Sequence, residues 1–140
     1  MIRFTISIVP KAQARTKAGI NKHTGKAMVF TPKGQRRHEN DLIALMAPYA
    51  PAEPLDGPLK LSVYVGLPVP KSWSKKKRAE ALAGKSFPTG RPDLDNYVKQ
   101  ICDRMTTLRF WADDSNVVII NAEKNYTDSP YWLVFLEEIK

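Results

Sequence analysis

The feature that most constrains the fold of this chain is one amphipathic stretch of residues 94–108. Its apolar residues follow one another at steps of four, three, four and three, at Leu94, Val98, Ile101, Met105 and Leu108. This spacing places them on one face of a helix, and it predicts a helix over residues 94–107. A helix with a single apolar face must pack against another apolar surface, so the rest of the chain has to supply one.

Strands are the natural source of that surface. Residues 59–65, 117–126 and 131–137 are rich in β-branched and aromatic side chains and predict three strands. Residues 3–9 alternate between apolar and polar side chains and predict an earlier strand, which Pro10 ends. The turn-forming residues 127–130 predict that the last two strands form a hairpin.

Two further helices are predicted. One covers residues 34–47, opened by the preceding Thr-Pro, and the other is short, basic and capped by Ser72 or Ser74. The basic residues and glycines of residues 11–28 indicate a flexible loop, and residues 28–30 are expected to form a short strand. With 140 residues, we expect an α+β fold in one small domain, residues 1–140, with a mixed β-sheet and helices packed against it.

The composition of the chain indicates in which cellular compartment the protein is expected. The chain is 43% hydrophobic and 26% charged, values typical of a soluble globular protein, and it contains no apolar run long enough to span a membrane. Its N-terminus lacks the apolar region of a signal peptide. Cys102 is the single cysteine, which suits a reducing cytoplasm. We therefore expect a cytoplasmic protein.

Basic residues are concentrated in two segments of a chain that carries a net charge of +8. Residues 1–37 hold nine basic residues and no acidic one, and residues 71–91 hold seven against Glu80. Such one-signed segments are typical of surfaces that bind DNA phosphates, although a basic face kept for solubility is the alternative. The candidate DNA-contacting residues are Lys11, Arg15, Lys17, Lys71, Lys75, Lys76, Lys77, Arg78 and Arg91.

Acidic residues, in contrast, gather within residues 91–118. This span holds Asp93, Asp95, Asp103, Asp113 and Asp114. Two carboxylates about 4 Å apart repel by about 4 kcal/mol at an effective dielectric of about 20, so a cluster must be protonated, spread out or bound to a cation. A divalent metal ion is the simplest of these three solutions.

Each of these acids also has an ordinary explanation. Asp93 or Asp95 could cap the predicted helix, which stabilises a helix by about 1 kcal/mol. The Asp113–Asp114 pair is typical of a turn. Lys99 lies four residues after Asp95, where an exposed ion pair is the expected arrangement.

Distance is the main difficulty for a common site. A helix of about 13 residues is about 20 Å long, which separates Asp93 from Asp114 unless the chain returns. Either residues 108–112 double back, held by Trp111 against the apolar stripe, or a dimer partner completes the site. We favour the first solution.

Other chemistries find less support. His23 and His38 have no second ligand at zinc spacing and no nucleophile beside them, so we expect exposure or a phosphate contact for both. Cys102 is expected to act as a small buried apolar residue. A D-x-D motif also occurs in haloacid-dehalogenase-like phosphatases, where an apolar strand precedes it, and in nucleotide-sugar transferases, which are much longer.

The motifs together resemble a known family. The run P-D-L-D-N-x-x-K of residues 92–99, Asp103, and W-x-D-D-S-N-V-V of residues 111–118 are similar to the RusA family of Holliday junction resolvases. F-T-P at residues 30–32 and P-K-S-W-S with a basic run at residues 70–78 extend the resemblance over most of the chain. One departure is that the arginine run of some members is reduced to Arg91.

The resemblance implies a homodimeric, phage- or prophage-associated nuclease that cuts four-way DNA junctions. It implies Asp93, Asp95 and Asp114 as catalytic, metal-binding residues, Asp113 as a further ligand and Lys99 as a functional lysine. Magnesium is the implied ion, with Mn²⁺ as a substitute; it would position a water and neutralise charge on the phosphorus, while Lys99 orients the phosphate. The alternative function is a non-catalytic module that binds DNA junctions.

Overall fold

The computed structural model describes residues 1–13, 17–30 and 34–140. Two single-turn 3-10 helices, at residues 47–49 and 114–116, accompany the longer elements. The longer elements are, in chain order, β1 (Ile2–Ile6), β2 (Lys17–Ile20), β3 (Ala27–Phe30), α1 (Gln35–Met46), β4 (Leu59–Pro68), α2 (Lys75–Leu82), α3 (Leu94–Thr107), β5 (Val117–Thr127) and β6 (Tyr131–Glu138).

Four strands form a mixed sheet in the order β1-β6-β4-β5. β4 occupies the interior, antiparallel to β6 and parallel to β5, and β1 pairs antiparallel with the outer side of β6. Helices α1, α2 and α3 pack against strands of this sheet, so the predicted α+β fold with a mixed sheet is confirmed. None of the helices that the structure describes is long and apolar enough to span a membrane.

The core lies between the sheet and α3. Leu61 and Val63 of β4 and Ile101 and Met105 of α3 are fully buried in one apolar cluster. On β6, the antiparallel neighbour of β4, alternate residues such as Val134 are buried as well. The apolar stripe of the sequence is therefore the surface that joins α3 to the sheet.

The observed α3, Leu94–Thr107, has the predicted bounds. Pro92 lies just ahead of the helix and disfavours helical backbone in the residue before it, which helps to fix the start. At the other end Arg109 adopts a positive φ of 59°, which takes the chain out of the helix. Ser74 caps α2 through a hydrogen bond from Lys77 N–H, as predicted.

The predicted hairpin between the last two strands is wrong. β5 and β6 are neighbours in sequence, but β4 lies between them and pairs with both. The short connection at residues 128–130 therefore crosses the end of β4. Gly66 of β4 faces Tyr131 there, and a Cβ at Gly66 would overlap the Tyr131 ring.

Two predictions for the N-terminal third also fail. The first strand ends at Ile6, short of the predicted residue 9. Residues 11–28 are not only a loop, because β2 pairs with β3 as a separate two-stranded sheet. Asn21 explains the turn, since its side-chain oxygen accepts hydrogen bonds from His23 and Thr24 N–H. The Thr31-Pro32 helix opening lies outside the described residues.

Candidate active site

The first acid group lies at the start of α3. Asp93 is the N-cap residue of α3. Every residue of this helix is described, and none of them donates a capping hydrogen bond to the Asp93 side chain. Asp95 follows in the first helical turn. Both carboxylates are exposed. Capping therefore does not explain Asp93, and its carboxylate is available for other partners.

A lysine of β5 holds the loop that leads to Asp93. Lys124 Nζ donates hydrogen bonds to the carbonyl oxygens of Gly90, at 2.8 Å, and Pro92, at 3.0 Å. The Arg91–Pro92 peptide between them is cis. Sequence reasoning missed Lys124; the available signal was its position two residues after Ala122, on the face of β5 that meets α3.

The basic N-terminal segment runs beside the same helix. Gln13 N–H donates to the carbonyl oxygen of Asn96, and the side chain of Gln100 donates to the carbonyl oxygen of Lys11. Lys11, an exposed candidate DNA contact, therefore lies against the N-terminal half of α3. The other two candidate DNA contacts of this segment are Arg15 and Lys17. Arg15 lies outside the described residues, and so does the side chain of Lys17.

Lys99 pairs with a different acid from the one expected. Its Nζ lies 3.5 Å from Asp103 Oδ2, so the predicted ion pair with Asp95 is wrong. Both choices are one helical turn away, and the sequence offers no rule between them. With Lys99 60% exposed, the pair contributes little to stability and Lys99 can leave it for another anion.

The second acid group lies in the 3-10 turn before β5. Asp113 accepts a hydrogen bond from Ser115 N–H at 2.9 Å, while Asn116 accepts one from Asp113 N–H. The Asn116 side chain donates to Asp56 and to the carbonyl oxygen of Gly57, which ties the turn to the loop before β4. Asp113 thus has the structural role expected of a turn residue. Asp114 does not share it.

Asp113 and Asp114 shift each other's pKa in opposite directions. The Asp113 side chain chiefly raises the pKa of Asp114, and desolvation and the charge of Asp103 act in the same direction. The Ser115 N–H chiefly lowers the pKa of Asp113, with the Asp114 side chain as a second cause. Asp114 is therefore the carboxyl of the pair that takes up a proton more readily.

The two acid groups remain apart within one chain. Residues 108–112 do turn back as expected: Trp111 is buried, and its indole N–H donates to Thr106 Oγ1 at 3.0 Å. The return brings Asp114 near Cys102 and Asp103 in the second half of α3. The charge of Asp114 raises the pKa of Cys102, and the charge of Asp103 raises the pKa of Asp114. Asp95 is two turns earlier, about 12 Å along the helix from Asp103.

The separation of the two acid groups limits what one chain can offer to a metal ion. In the described part of the chain, no three His, Cys, Asp or Glu residues are grouped closely enough to hold a metal ion. Asp93, Asp95 and Asp114 therefore do not form a common site within one subunit, and the assignment of these three as ligands stays a prediction.

Cys102 and His38 are structural residues. Burial raises the pKa of the Cys102 thiol to about 11, with Asp103 and Asp114 as smaller causes, so the thiol is protonated at neutral pH as expected of an apolar residue. His38 was expected to be exposed or to contact phosphate, which is wrong. It is buried against Trp132 and accepts a hydrogen bond from Lys11 N–H.

The second basic segment lies on the loop before α2 and on α2 itself. Lys71, Lys75, Lys76 and Lys77 are exposed and Arg78 is half-buried. Lys77 Nζ lies 4.0 Å from the centre of the Trp73 ring, and Trp73 packs edge-on against Tyr126 at the end of β5. Arg91 is exposed beside Asp93. The basic helix α2 therefore contacts the same strand, β5, whose Lys124 holds the loop before Asp93.

A small α+β domain with paired surface carboxylates beside basic segments is the arrangement of a protein that acts on nucleic acid. The family comparison agrees. The model of the family "Endodeoxyribonuclease RusA" matches residues 7–137, and the chain belongs to the RusA family.

Two curated relatives cover nearly the same length. The chain is 33% identical over 125 residues to a protein of Lactococcus phage r1t named "Crossover junction endodeoxyribonuclease rusA", which covers 86% of this chain and 84% of the phage protein. It is also 34% identical over 140 residues to "Uncharacterized protein YqaN" of Bacillus subtilis (strain 168), over 99% of this chain and 96% of that protein.

Proposed function

We propose that this protein is a magnesium-dependent, structure-selective endodeoxyribonuclease that resolves four-way DNA junctions by paired symmetric nicks, in DNA recombination and repair. The observation that carries this proposal is the RusA family match over residues 7–137, a range that includes all five clustered aspartates. The printed name of the phage relative, with 33% identity over 86% of the chain, supports the same substrate.

DNA binding in this proposal uses both basic segments. Lys11 beside α3 and the lysines of α2 contact phosphates on either side of the acid groups, with Lys17 and Arg15 extending the first segment. Each phosphate contact releases counterions, so affinity falls steeply as salt rises. The contacts are with the backbone and carry no base information, which suits recognition of junction shape.

Cleavage in this proposal uses Asp93, Asp95 and Asp114 as metal ligands, with Asp113 as an auxiliary one. Magnesium binds proteins through one or two carboxylates together with substrate phosphate oxygens, a requirement that each acid group can meet. When bound, the ion lowers the pKa of its water and neutralises charge on the phosphate. Manganese, which accepts the same oxygen ligands, substitutes for it.

Lys99 contributes the positive side chain. Its exposed pair with Asp103 is weak, so Lys99 can turn to the scissile phosphate when DNA binds. There it orients the phosphate and stabilises the negative charge that grows in the transition state.

The test is an incubation of labelled four-way junction, linear duplex and flap DNA with the protein, with and without magnesium. We expect paired nicks at symmetric points of the junction, no cutting of linear duplex, and no cutting without a divalent ion. Equal cutting of all three DNAs would contradict structure selectivity. Cutting in the presence of a chelator would contradict the role of magnesium.

A second candidate function rests on the separation of the acid groups. Because no three acids of the described residues gather within one chain, a junction-binding module without catalysis is the competing proposal. It predicts that the protein retards junction DNA in a gel and leaves it intact at every magnesium and manganese concentration. The same incubation therefore decides between the two functions.

A further inference from the structure

The two-stranded sheet of β2 and β3 stands apart from the rest of the fold. In the part of the chain that the structure describes, β2 pairs with β3, and neither strand joins the four-stranded sheet. The two strands contact chiefly each other. We call residues 17–30 the β2–β3 ribbon and residues 21–26 its tip. A two-stranded hairpin without further support is only marginally stable in water, so the ribbon gains stability when a partner covers it.

The tip of the ribbon is held in shape by its own hydrogen bonds. Asn21 N–H donates to the carbonyl oxygen of Lys26 at 2.9 Å. The Asn21 side chain accepts hydrogen bonds from His23 and Thr24 N–H, and Thr24 Oγ1 accepts one from Lys26 N–H. The turn therefore forms without a partner, and it presents the exposed side chains of Lys22, His23 and Lys26 to one.

Charge indicates what kind of partner fits the ribbon. The chain has no acidic residue before Glu39. The ribbon carries Lys17, Lys22 and Lys26 and no carboxylate to oppose them. A surface of one sign attracts a polyanion, and it repels a second copy of this chain, which has a net charge of +8. The charge of the ribbon therefore favours nucleic acid as its partner.

The dimensions of the ribbon match the major groove of duplex DNA. Paired strands lie about 4.8 Å apart, and the groove, about 12 Å wide, admits a two-stranded ribbon. Each strand of the ribbon has four residues, which gives it a length of about 14 Å. Because the groove is about 8.5 Å deep, the tip can reach the base edges while the start of the ribbon stays at the level of the phosphates.

The ribbon begins close to the first acid group. Gln13 N–H donates to the carbonyl oxygen of Asn96 at 3.1 Å, and Asn96 follows Asp95 in the first turn of α3. The ribbon starts at Lys17, four residues after Gln13, and a chain of that length spans at most about 14 Å. The start of the ribbon is therefore tethered near Asp95.

We propose that the β2–β3 ribbon enters the major groove of the duplex arm that is cut, with Lys22 and Lys26 on phosphates of the groove walls. This inference rests on the proposed nuclease function and adds a contact that neither α2 nor the acid groups provide. Ile20, which is 72% exposed, and its cross-strand partner Ala27 offer apolar surface beside the tip, and thymine methyl groups line the same groove. DNA binding stabilises the ribbon, and the ribbon holds the arm near Asp95.

The first test measures how junction affinity depends on salt, without divalent ions so that no DNA is cut. Lys22→Gln with Lys26→Gln removes two exposed charges, so the chain keeps its fold. Each phosphate contact contributes about 0.9 to the slope of log affinity against log salt, so we expect the slope to become shallower by about 2. The matched control, Lys60→Gln with Lys140→Gln, removes the same charge outside both basic segments and should keep the wild-type slope. A wild-type slope in the tip variant overturns the proposal.

The same titration on linear duplex identifies which part of the junction the tip contacts. Every duplex has a major groove, so the tip variant should lose the same slope on linear duplex as on the junction. A loss confined to the junction would place the tip at the branch point and overturn the groove assignment. A changed molecular mass in solution with unchanged DNA affinity would assign the ribbon to a contact between protein chains, which also overturns the proposal.

A second test follows the ribbon itself. Hydrogen exchange measured by mass spectrometry reports the opening of peptides that cover residues 17–30, with and without junction DNA. With free DNA at about ten times its Kd, we expect exchange in these peptides to slow by about tenfold, while β4, paired on both sides, changes little. Unchanged exchange of residues 17–30 under these conditions overturns the proposal.

The outcomes separate the ribbon from the catalytic proposal. If the tip variant loses the slope while wild-type protein fails to cut junctions in magnesium, the nuclease proposal fails and the ribbon contact stands. If wild-type protein cuts junctions while the tip variant keeps the wild-type slope, the nuclease proposal stands and the ribbon contact is wrong.

Discussion

β4 and β5 are parallel neighbours with similar apolar compositions and opposite environments. β4 pairs on both sides, and its Leu61 and Val63 are completely buried. Among the described strands β5 pairs with β4 alone; it leaves Ile119 44% exposed and carries Lys124 beside the Asp93 loop. The difference shows that position in the sheet, rather than composition, makes one strand the centre of the core and the other the support of the candidate site.

The largest expected effect comes from moving the same change between the two strands. Leu61→Ala removes buried methyl groups and leaves a cavity, so we expect it to lower the free energy of unfolding by about 2–5 kcal/mol. Ile119→Ala, at an exposed site, should cost about 0.5 kcal/mol or less. Urea unfolding followed by circular dichroism measures both, and equal losses would break the comparison.

A smaller effect is expected at Lys124, and on activity instead of stability. Lys124→Met removes both hydrogen bonds to the loop before Asp93, so we expect junction nicking to fall by about 10–100-fold, the usual cost of losing support behind a ligand. Lys124→Arg keeps a donor and should restore most of the rate. An unchanged rate in Lys124→Met would show that β5 does not position Asp93.

The smallest expected effect is the contribution of His38, which lies beside Trp132 of β6, to the pH dependence of stability. Burial, and secondarily the charge of Lys11, lowers the pKa of His38, while Asp41 and Glu39 oppose the shift. Below pH 6.5 the unfolded chain therefore takes up a proton more readily than the folded one, and stability falls as pH drops. In His38→Gln the part of this slope due to His38 should vanish. Urea unfolding at pH 5 and pH 7.5 tests this, and an unchanged slope would contradict it.

Local patterns predicted what depends on neighbouring residues. The stripe from Leu94 to Leu108 gave the bounds of α3 because helical contacts are local, and Ser74 was recognisable as a cap for the same reason. The return of the chain through Trp111 followed from its length and apolar character. The motifs around Asp93 and Asp114 were sufficient to indicate the RusA family.

Non-local choices were not predictable in this way. Residues 127–130 have the composition of a hairpin turn, and only the pairing of β4 with both flanking strands shows that they cross its end. The choice of Lys99 between Asp95 and Asp103, and the burial of His38 under Trp132, likewise depend on tertiary packing. Lys124 has the appearance of an ordinary surface lysine in the sequence, because its partners are carbonyl groups of a distant loop.

The central claim is that the aspartates at the start of α3 cut a bound four-way junction. Its most direct test compares junction binding and junction nicking by wild-type protein, Asp93→Asn and Asp95→Asn in magnesium. We expect at least about a 100-fold loss of nicking in each variant, since even support residues behind a ligand cost 10–100-fold, with junction binding retained. Cutting by both variants at the wild-type rate would contradict the account.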